Sequence, residues 1–136
     1  VQSLGLEKVV TFLGPCDDVV DIINTLDLFV LPSLHEGTPT VILEAMFLGL
    51  PVVASATGGI SEVVRDRWNG LLVEPGNRSN LASACLSLLS NPALAQVVTR
   101  NACQASKAFL RQETCQLLLS MYSSLYRDGT GGKAEL

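Results

Sequence analysis

Short apolar runs alternate with helical patterns along the first part of the chain, and this alternation constrains the fold more than any other feature. The apolar runs predict strands over residues 9–13, 28–31, 51–55 and 71–73. Helical spacing of apolar residues lies between them, over about 17–26, 39–48 and 60–64. Strands that are apolar on both faces are typical of a parallel sheet covered by helices. The pattern therefore predicts an α/β fold built from βαβ units, with helices on both faces of the sheet.

Beyond residue 77 the pattern changes to helices alone. We predict helices over about 78–90, 93–109 and 112–127, with a break at Asn91 and Pro92 between the first two. The tail 128–136 is Gly-rich and polar and is predicted to be disordered. The sequence shows no internal repeat and no linker, so residues 1–127 are expected to form one domain. Because the chain begins with Val1, we also expect a piece of a longer protein.

Composition excludes several classes of function. The chain has 136 residues, 48% of them apolar, which suffices for one domain with a buried core. A net charge of −4 with only nine Lys and Arg residues argues against a nucleic-acid partner. The absence of any run long enough for a transmembrane segment predicts a cytoplasmic protein and leaves peripheral contact with the inner membrane face open. The four cysteines have no C-x-x-C spacing and are predicted to be free thiols: Cys16, Cys85, Cys103 and Cys115.

Four loops follow the predicted strands, at the sheet edge where open α/β domains bind ligands. They cover residues 14–17, 33–37, 56–59 and 74–77. Three of them carry glycine next to a helix start, where free backbone N–H groups can receive an anion. The glycine fingerprint of dinucleotide-binding folds and the phosphate loop of nucleotide triphosphatases are both missing.

The segment EGTPTVILEAM, residues 36–46, carries the most specific signal. Thr38 is predicted to cap a helix and Pro39 to occupy its first position, so that the N–H groups of Thr40 and Val41 face a pocket. Glu36 precedes this helix, and Glu44 lies about one and a half turns inside it. Carboxylates accept paired hydrogen bonds from vicinal hydroxyls, which suits a ribose or a hexose.

Six segments together, in order and spacing, resemble the group 1 glycosyltransferases of the GT-B fold. They are FLG (12–14), DLFVLPS (27–33), EGTPTVILEAM (36–46), GLPVVAS (49–55), GGISEVV (58–64) and NGLLVEPG (69–76). The resemblance covers residues 5–127 and implies the Rossmann-like, C-terminal donor-binding domain of a retaining enzyme, incomplete at its N-terminus. The E-x7-E spacing from Glu36 to Glu44 is its most specific part.

The resemblance also implies roles for individual residues. Glu36 approaches the donor sugar and is the catalytic candidate, while Glu44 binds the ribose hydroxyls. The backbone after Glu36 contacts the sugar and the diphosphate, and the loop of residues 15–18 lies near the nucleobase. Neither a metal site nor a cofactor is implied, because the nucleotide-diphosphate sugar is a substrate. The donor-binding residues are thus Glu36, Gly37, Thr38, Pro39, Thr40, Val41, Glu44, Gly14, Cys16 and Asp18.

The function implied is transfer of a sugar from a nucleotide sugar to an acceptor hydroxyl with retention. The acceptor, a sugar, a lipid or another hydroxyl compound, is expected on an N-terminal domain that this chain lacks. An Arg and a Lys that hold the diphosphate in the family also precede this chain, so the chain alone is expected to be inactive. The alternative is a non-catalytic nucleotide- or sugar-binding or interaction domain with the same fold. His35 is interpreted as a residue of the pocket rim, whereas Glu62 fits a cleft or a helix start equally well.

Overall fold

The computed structural model describes residues 1–37, 39–109, 116, 118–120 and 123. It confirms an α/β chain in which strands and helices alternate before two longer helices follow. Short 3-10 turns cover Gln2–Leu4 and Lys107–Phe109. The elements are α1 (Val19–Ile23), β1 (Phe29–Leu31), α2 (Thr40–Phe47), β2 (Val52–Ser55), α3 (Ile60–Val63), β3 (Leu71–Val73), α4 (Arg78–Ser90) and α5 (Pro92–Ser106).

The three strands form one parallel sheet in the order β1-β2-β3. Phe29 pairs with Val52, and Val53 pairs with Leu71. The central strand β2 is buried along its whole length, as a strand covered on both faces must be. The three carboxyl ends therefore lie at one edge of the sheet, as the sequence predicts.

Alternate residues of β2 enter two different cores. Val52 and Ala54 pack against α2 and α3, with Ile42 and Met46 fully buried there. Val53 points to the other face, where it packs with Leu88 of α4 and other apolar residues. This period of two is what a pleated strand between two helical layers requires. Helices therefore cover both faces of the sheet, as predicted.

The predicted strand over residues 9–13 is wrong, and the predicted first helix is too long. Val9, Phe12 and Leu13 are exposed by 76%, 82% and 60%. The N–H groups of Val9 and Val10 donate to Leu6 O in a turn, and no hydrogen bond joins this segment to β1 within the described residues. A segment forms a strand when it pairs with a neighbouring strand and packs against apolar side chains, and in the described fold residues 9–13 do neither. The helix predicted over 17–26 is limited to α1.

Of the two long helices, α4 begins where the sequence predicts, and α5 begins at Pro92, one residue before its predicted start. Asn77 and Asn91 cap α4 and α5 through their side-chain oxygens, which accept from Asn80 N–H at 3.0 Å and from Leu94 N–H at 3.1 Å. Pro92 stands at the start of α5, where its missing N–H costs nothing. The predicted helix over 112–127 lies largely outside the described residues, and the tail 128–136 lies wholly outside them.

None of the described helices is by itself long and apolar enough to cross a membrane. The helices Arg78–Ser90 and Pro92–Phe109 reach the required length and composition only as a pair, across a bend of 100°. Leu88, Val98 and Ala102 of this pair are buried in the two cores.

Three of the predicted free thiols are confirmed, and Cys115 lies outside the described residues. Cys85 packs beside the core on the α4 face. Burial raises the pKa of its thiol, so Cys85 stays protonated near neutral pH.

The turn before β3 depends on one buried amide. Asn69 is 2% exposed, accepts from Arg65 N–H at 2.6 Å and donates to Val63 O at 3.0 Å. Asn69→Ala removes both bonds and is expected to lower the free energy of unfolding by about 2–4 kcal/mol. Chemical denaturation followed by circular dichroism measures this loss. Asn101→Ala is the control, because Asn101 donates to Trp68 O in the same turn through a solvent-exposed hydrogen bond, and it is expected to cost less than about 1 kcal/mol.

Candidate active site

The loops after β1 and β2 are joined at the carboxyl edge of the sheet. Thr57 Oγ1 donates to the carbonyl oxygen of Leu34 at 3.0 Å. Gly58 packs directly on the backbone of Glu36, so that a Cβ atom at Gly58 would overlap the Glu36 carbonyl oxygen and lie 3.1 Å from its carbonyl carbon. Gly58 also has a φ of +49°, in the left-handed region. The loop after β2 therefore fixes the position of the loop after β1, which carries Glu36.

Glu36 lies in this supported loop and is half-buried. Its Oε1 atom accepts a hydrogen bond from Ser33 Oγ at 2.6 Å. The Oε2 atom has no hydrogen-bond partner among the described residues, so it remains available to a ligand. One oxygen thus orients the carboxylate while the other is free to bind.

Glu44 lies on the exposed side of α2. Ile42 and Ala45, on the opposite side of the helix, are fully buried. The Glu44 carboxylate makes no ion pair and no side-chain hydrogen bond within the described part of the chain. Packing of the inner side of α2 against the core therefore leaves the Glu44 carboxylate in solvent, and its predicted role as a ligand for ribose hydroxyls remains a prediction.

The start of α2 differs from the prediction by one position. Pro39 has a ψ of 78°, outside the helical region, and its carbonyl accepts from Ile42 N–H at 3.1 Å and Leu43 N–H at 3.4 Å. Pro39 is therefore the N-cap, and its predicted place as the first helical residue is wrong. The predicted cap, Thr38, lies outside the described residues. Thr40 and Val41 N–H find no acceptor among the described residues, as predicted.

The loop of residues 14–18 forms a separate feature. Gly14 has a left-handed φ of +70°, and Cys16 Sγ lies 3.4 Å from the Gly14 carbonyl oxygen. Asp18 is the N-cap position of α1, but its side chain makes no capping bond. Within the described residues no hydrogen bond joins this loop to Glu36 or Glu44. Its predicted role at the nucleobase remains a prediction.

The structure gives the positions of two further polar residues, His35 and Glu62, but no functional role for either. His35 is exposed, and its predicted place on the pocket rim remains a prediction. Glu62 is exposed in the first turn of α3. The structure brings neither side chain into contact with Glu36 or Glu44 through a hydrogen bond among the described residues.

Sequence reasoning missed three residues that shape this site: Ser33, Thr57 and Gly58. The glycine pair at 58 and 59 signalled a loop before a helix, but not its contact with Glu36. Ser33 stands three positions before Glu36, a spacing at which a hydroxyl can bond a nearby side chain. Thr57 bonds across 23 positions, which no local pattern encodes.

The sequence of the chain is similar to that of a known protein family. Residues 1–91 match the family model described as "Glycosyl transferases group 1". The chain is 35% identical over 136 residues to D-inositol 3-phosphate glycosyltransferase of Mycobacterium marinum, covering 97% of the chain and 29% of that protein. It is 32% identical to N-acetyl-alpha-D-glucosaminyl L-malate synthase of Bacillus anthracis, covering 98% of the chain and 35% of that protein. The chain thus spans about a third of the length of these relatives.

Solved structures show the same architecture. HepE of Anabaena in complex with UDP superposes with a TM-score of 0.85 at 34% identity, over 91% of this chain and 35% of HepE. Its complex with UDP-glucose gives a TM-score of 0.83. Sucrose-phosphate synthase of Thermosynechococcus elongatus gives 0.80 at 32% identity, over 95% of this chain and 33% of that enzyme.

Proposed function

This chain belongs to the group 1 glycosyltransferases, and from that premise we propose that it supplies the donor-binding half of a retaining glycosyltransferase. The reaction transfers a hexose from a nucleotide-diphosphate sugar to an acceptor hydroxyl. The observation that carries the proposal is the supported loop at the carboxyl edge of the sheet. There, Glu36 is oriented by Ser33 and precedes Thr40, the first of the free amides of α2, by four positions in the chain.

The start of α2 suits the diphosphate. Thr40 and Val41 present N–H groups without acceptors among the described residues, and the helix adds about half a positive charge at this end. The transition state of sugar transfer develops negative charge on the leaving diphosphate, and preorganised donors stabilise that charge. We assign Gly37, Thr38 and Pro39 to the same backbone segment, between the sugar and the diphosphate.

The two glutamates have unequal roles. Glu36 has one carboxylate oxygen held by Ser33 and one free, so it positions the donor sugar near the bond that breaks. Glu44, in solvent on α2, accepts hydrogen bonds from the ribose hydroxyls and contributes to nucleotide affinity. Gly14, Cys16 and Asp18 are assigned to the nucleobase side of the donor.

The nucleotide sugar is the substrate, and the proposed reaction uses no metal and no cofactor. HepE, which is 34% identical to this chain, has been solved with UDP and with UDP-glucose, which supports a nucleotide sugar as the ligand. The acceptor, a sugar, a lipid or another hydroxyl compound, binds to an N-terminal domain of the whole protein. We place the enzyme in carbohydrate biosynthesis in the cytoplasm, with peripheral contact at the inner membrane face where the acceptor is a lipid.

The isolated 136-residue chain is expected to bind nucleotide sugars weakly and to transfer no sugar. The physical reason is that the helix end alone offers partial charge to a diphosphate, whereas the full cationic partners are expected outside this chain. Calorimetric titration with UDP-, GDP- and ADP-hexoses measures binding, and release of the nucleoside diphosphate measures turnover. Tight binding or sugar transfer by the isolated chain would contradict the proposal that groups outside this chain are needed to hold the diphosphate.

A further inference from the structure

A cavity of about 330 Å³ opens at the carboxyl edge of the sheet, on the face covered by α4. It contains none of the residues proposed to hold the donor. This volume corresponds to about eleven water molecules at about 30 Å³ each, which is enough for a monosaccharide. Its walls include Pro32, Leu34, Ser55, Glu74, Asn77 and Arg78.

The most informative residue of this cavity is Ser55, at the end of β2. Ser55 is 2% exposed and lies two positions after Val53, so its side chain points to the α4 face. Its hydroxyl has no hydrogen-bond partner in the described part of the chain. Since no side-chain oxygen or nitrogen that is buried from solvent lacks a partner within the described residues, this hydroxyl is open to the cavity, where a bound polar molecule would replace water as its partner.

Charged and amide groups surround the mouth of the cavity. The Asn77 side-chain oxygen accepts from Asn80 N–H, which leaves the Asn77 amide nitrogen as a donor. Glu74 and Arg78 both line the cavity, and neither forms an ion pair with another described residue. Donors and an acceptor therefore face the same space above apolar walls that include Pro32 and Leu34.

We propose that this cavity binds a small neutral polyol of monosaccharide size. Vicinal hydroxyls match a carboxylate that accepts two hydrogen bonds and a guanidinium that donates several, and the Ser55 hydroxyl meets the buried end of the molecule. A simple anion fits less well, because the carboxylate of Glu74 lines the same cavity as Arg78. The site stands on the α4 face and shares no residue with the proposed donor site, although Leu34 belongs to the loop that carries Glu36.

Saturation-transfer NMR on the full-length protein, with D-glucose as the probe and UDP present in excess, tests the proposal. Glucose is expected to bind and to remain bound in excess UDP. Ser55→Ala and Arg78→Ala are each expected to weaken binding about three- to ten-fold, as the loss of one neutral or charged hydrogen bond predicts. Both substitutions shorten a side chain and leave the sheet and helix backbones unchanged.

Ser87→Ala is the matched control, because the Ser87 hydroxyl already donates to Ala84 O at 2.8 Å and lies outside this cavity. It is expected to leave glucose binding unchanged. Three results would each overturn the proposal: glucose displaced by UDP, glucose affinity equal in Ser55→Ala and the wild type, or binding of inorganic phosphate in place of glucose. Displacement by UDP would place glucose at the donor residues and would leave the proposed transferase function intact.

Discussion

Gly58→Ala is expected to lower kcat/KM of the full-length enzyme by about 100-fold, although residue 58 is not proposed to touch the donor. The added Cβ would overlap the Glu36 carbonyl oxygen, so either the 33–37 loop or the 56–59 loop must move. A displacement of about 1 Å in a positioning element costs on the order of 100-fold in rate. Steady-state kinetics with the preferred nucleotide sugar measures this loss.

The same substitution is expected to lower the free energy of unfolding by about 2–5 kcal/mol. An alanine at a left-handed φ costs about 1–2 kcal/mol, and forced overlap with backbone costs about 1–3 kcal/mol more. Gly5→Ala separates the two effects, because Gly5 has a φ of +65° and nothing lies within 4 Å of its added Cβ. Gly5→Ala is expected to show only the first cost and unchanged kinetics. Wild-type activity in Gly58→Ala would show that the contact between the two loops does not position Glu36.

Glu36→Gln is expected to reduce kcat by about 100- to 1,000-fold and to change the dissociation constant for the free nucleoside diphosphate less than three-fold. The amide keeps the size of the side chain but removes the charge that faces the developing positive charge on the sugar. A loss confined to kcat identifies an interaction made mainly in the transition state. Single-turnover kinetics separates this chemical step from donor binding.

Two further variants serve as comparisons for the loss of kcat expected in Glu36→Gln. Ser33→Ala removes the 2.6 Å bond to Glu36 Oε1 while keeping the carboxylate, so a smaller loss of about three- to ten-fold is expected. Glu62→Gln removes an exposed carboxylate from the first turn of α3 and is expected to leave transfer unchanged. Equal losses in the Glu36 and Glu62 variants would assign the effect to general electrostatics and contradict a specific role for Glu36.

The parts of the fold that the sequence predicted well are those with local signals. The strands β1, β2 and β3 are apolar runs bounded by Pro and Gly, and α4 was predicted with its observed bounds. The segment 9–13 has equally good local composition, yet it forms no strand, because a parallel strand needs a neighbour that local sequence does not supply. The one-residue error at Pro39 has a local cause: proline suits both the first helical position and a non-helical cap.

In the candidate site, too, features set by local sequence were predicted and contacts between distant residues were not. The E-x7-E spacing, the free amides of α2 and the exposed position of Glu44 follow from residues close together in the chain. The support of Glu36 does not, because Thr57 and Gly58 reach it from the next strand's loop. A glycine required by a close backbone approach looks, in sequence, like any glycine at a helix start. Gly58 differs from Gly59 in its contact with Glu36 and in its left-handed φ of +49°, against −64° at Gly59, and both differences exist only in the folded chain.

The most direct test of the account is a double titration of the full-length protein. The nucleoside diphosphate and its hexose derivative are each titrated against the wild type, Glu36→Ala and Glu44→Ala, using the nucleotide that binds the wild type most tightly. Glu44→Ala is expected to weaken both ligands by about ten-fold, the effect of losing a charged hydrogen-bond acceptor. Glu36→Ala is expected to weaken only the sugar-bearing ligand. Unchanged affinities and unchanged transfer in both variants would contradict a donor site at these two glutamates and favour a non-catalytic domain.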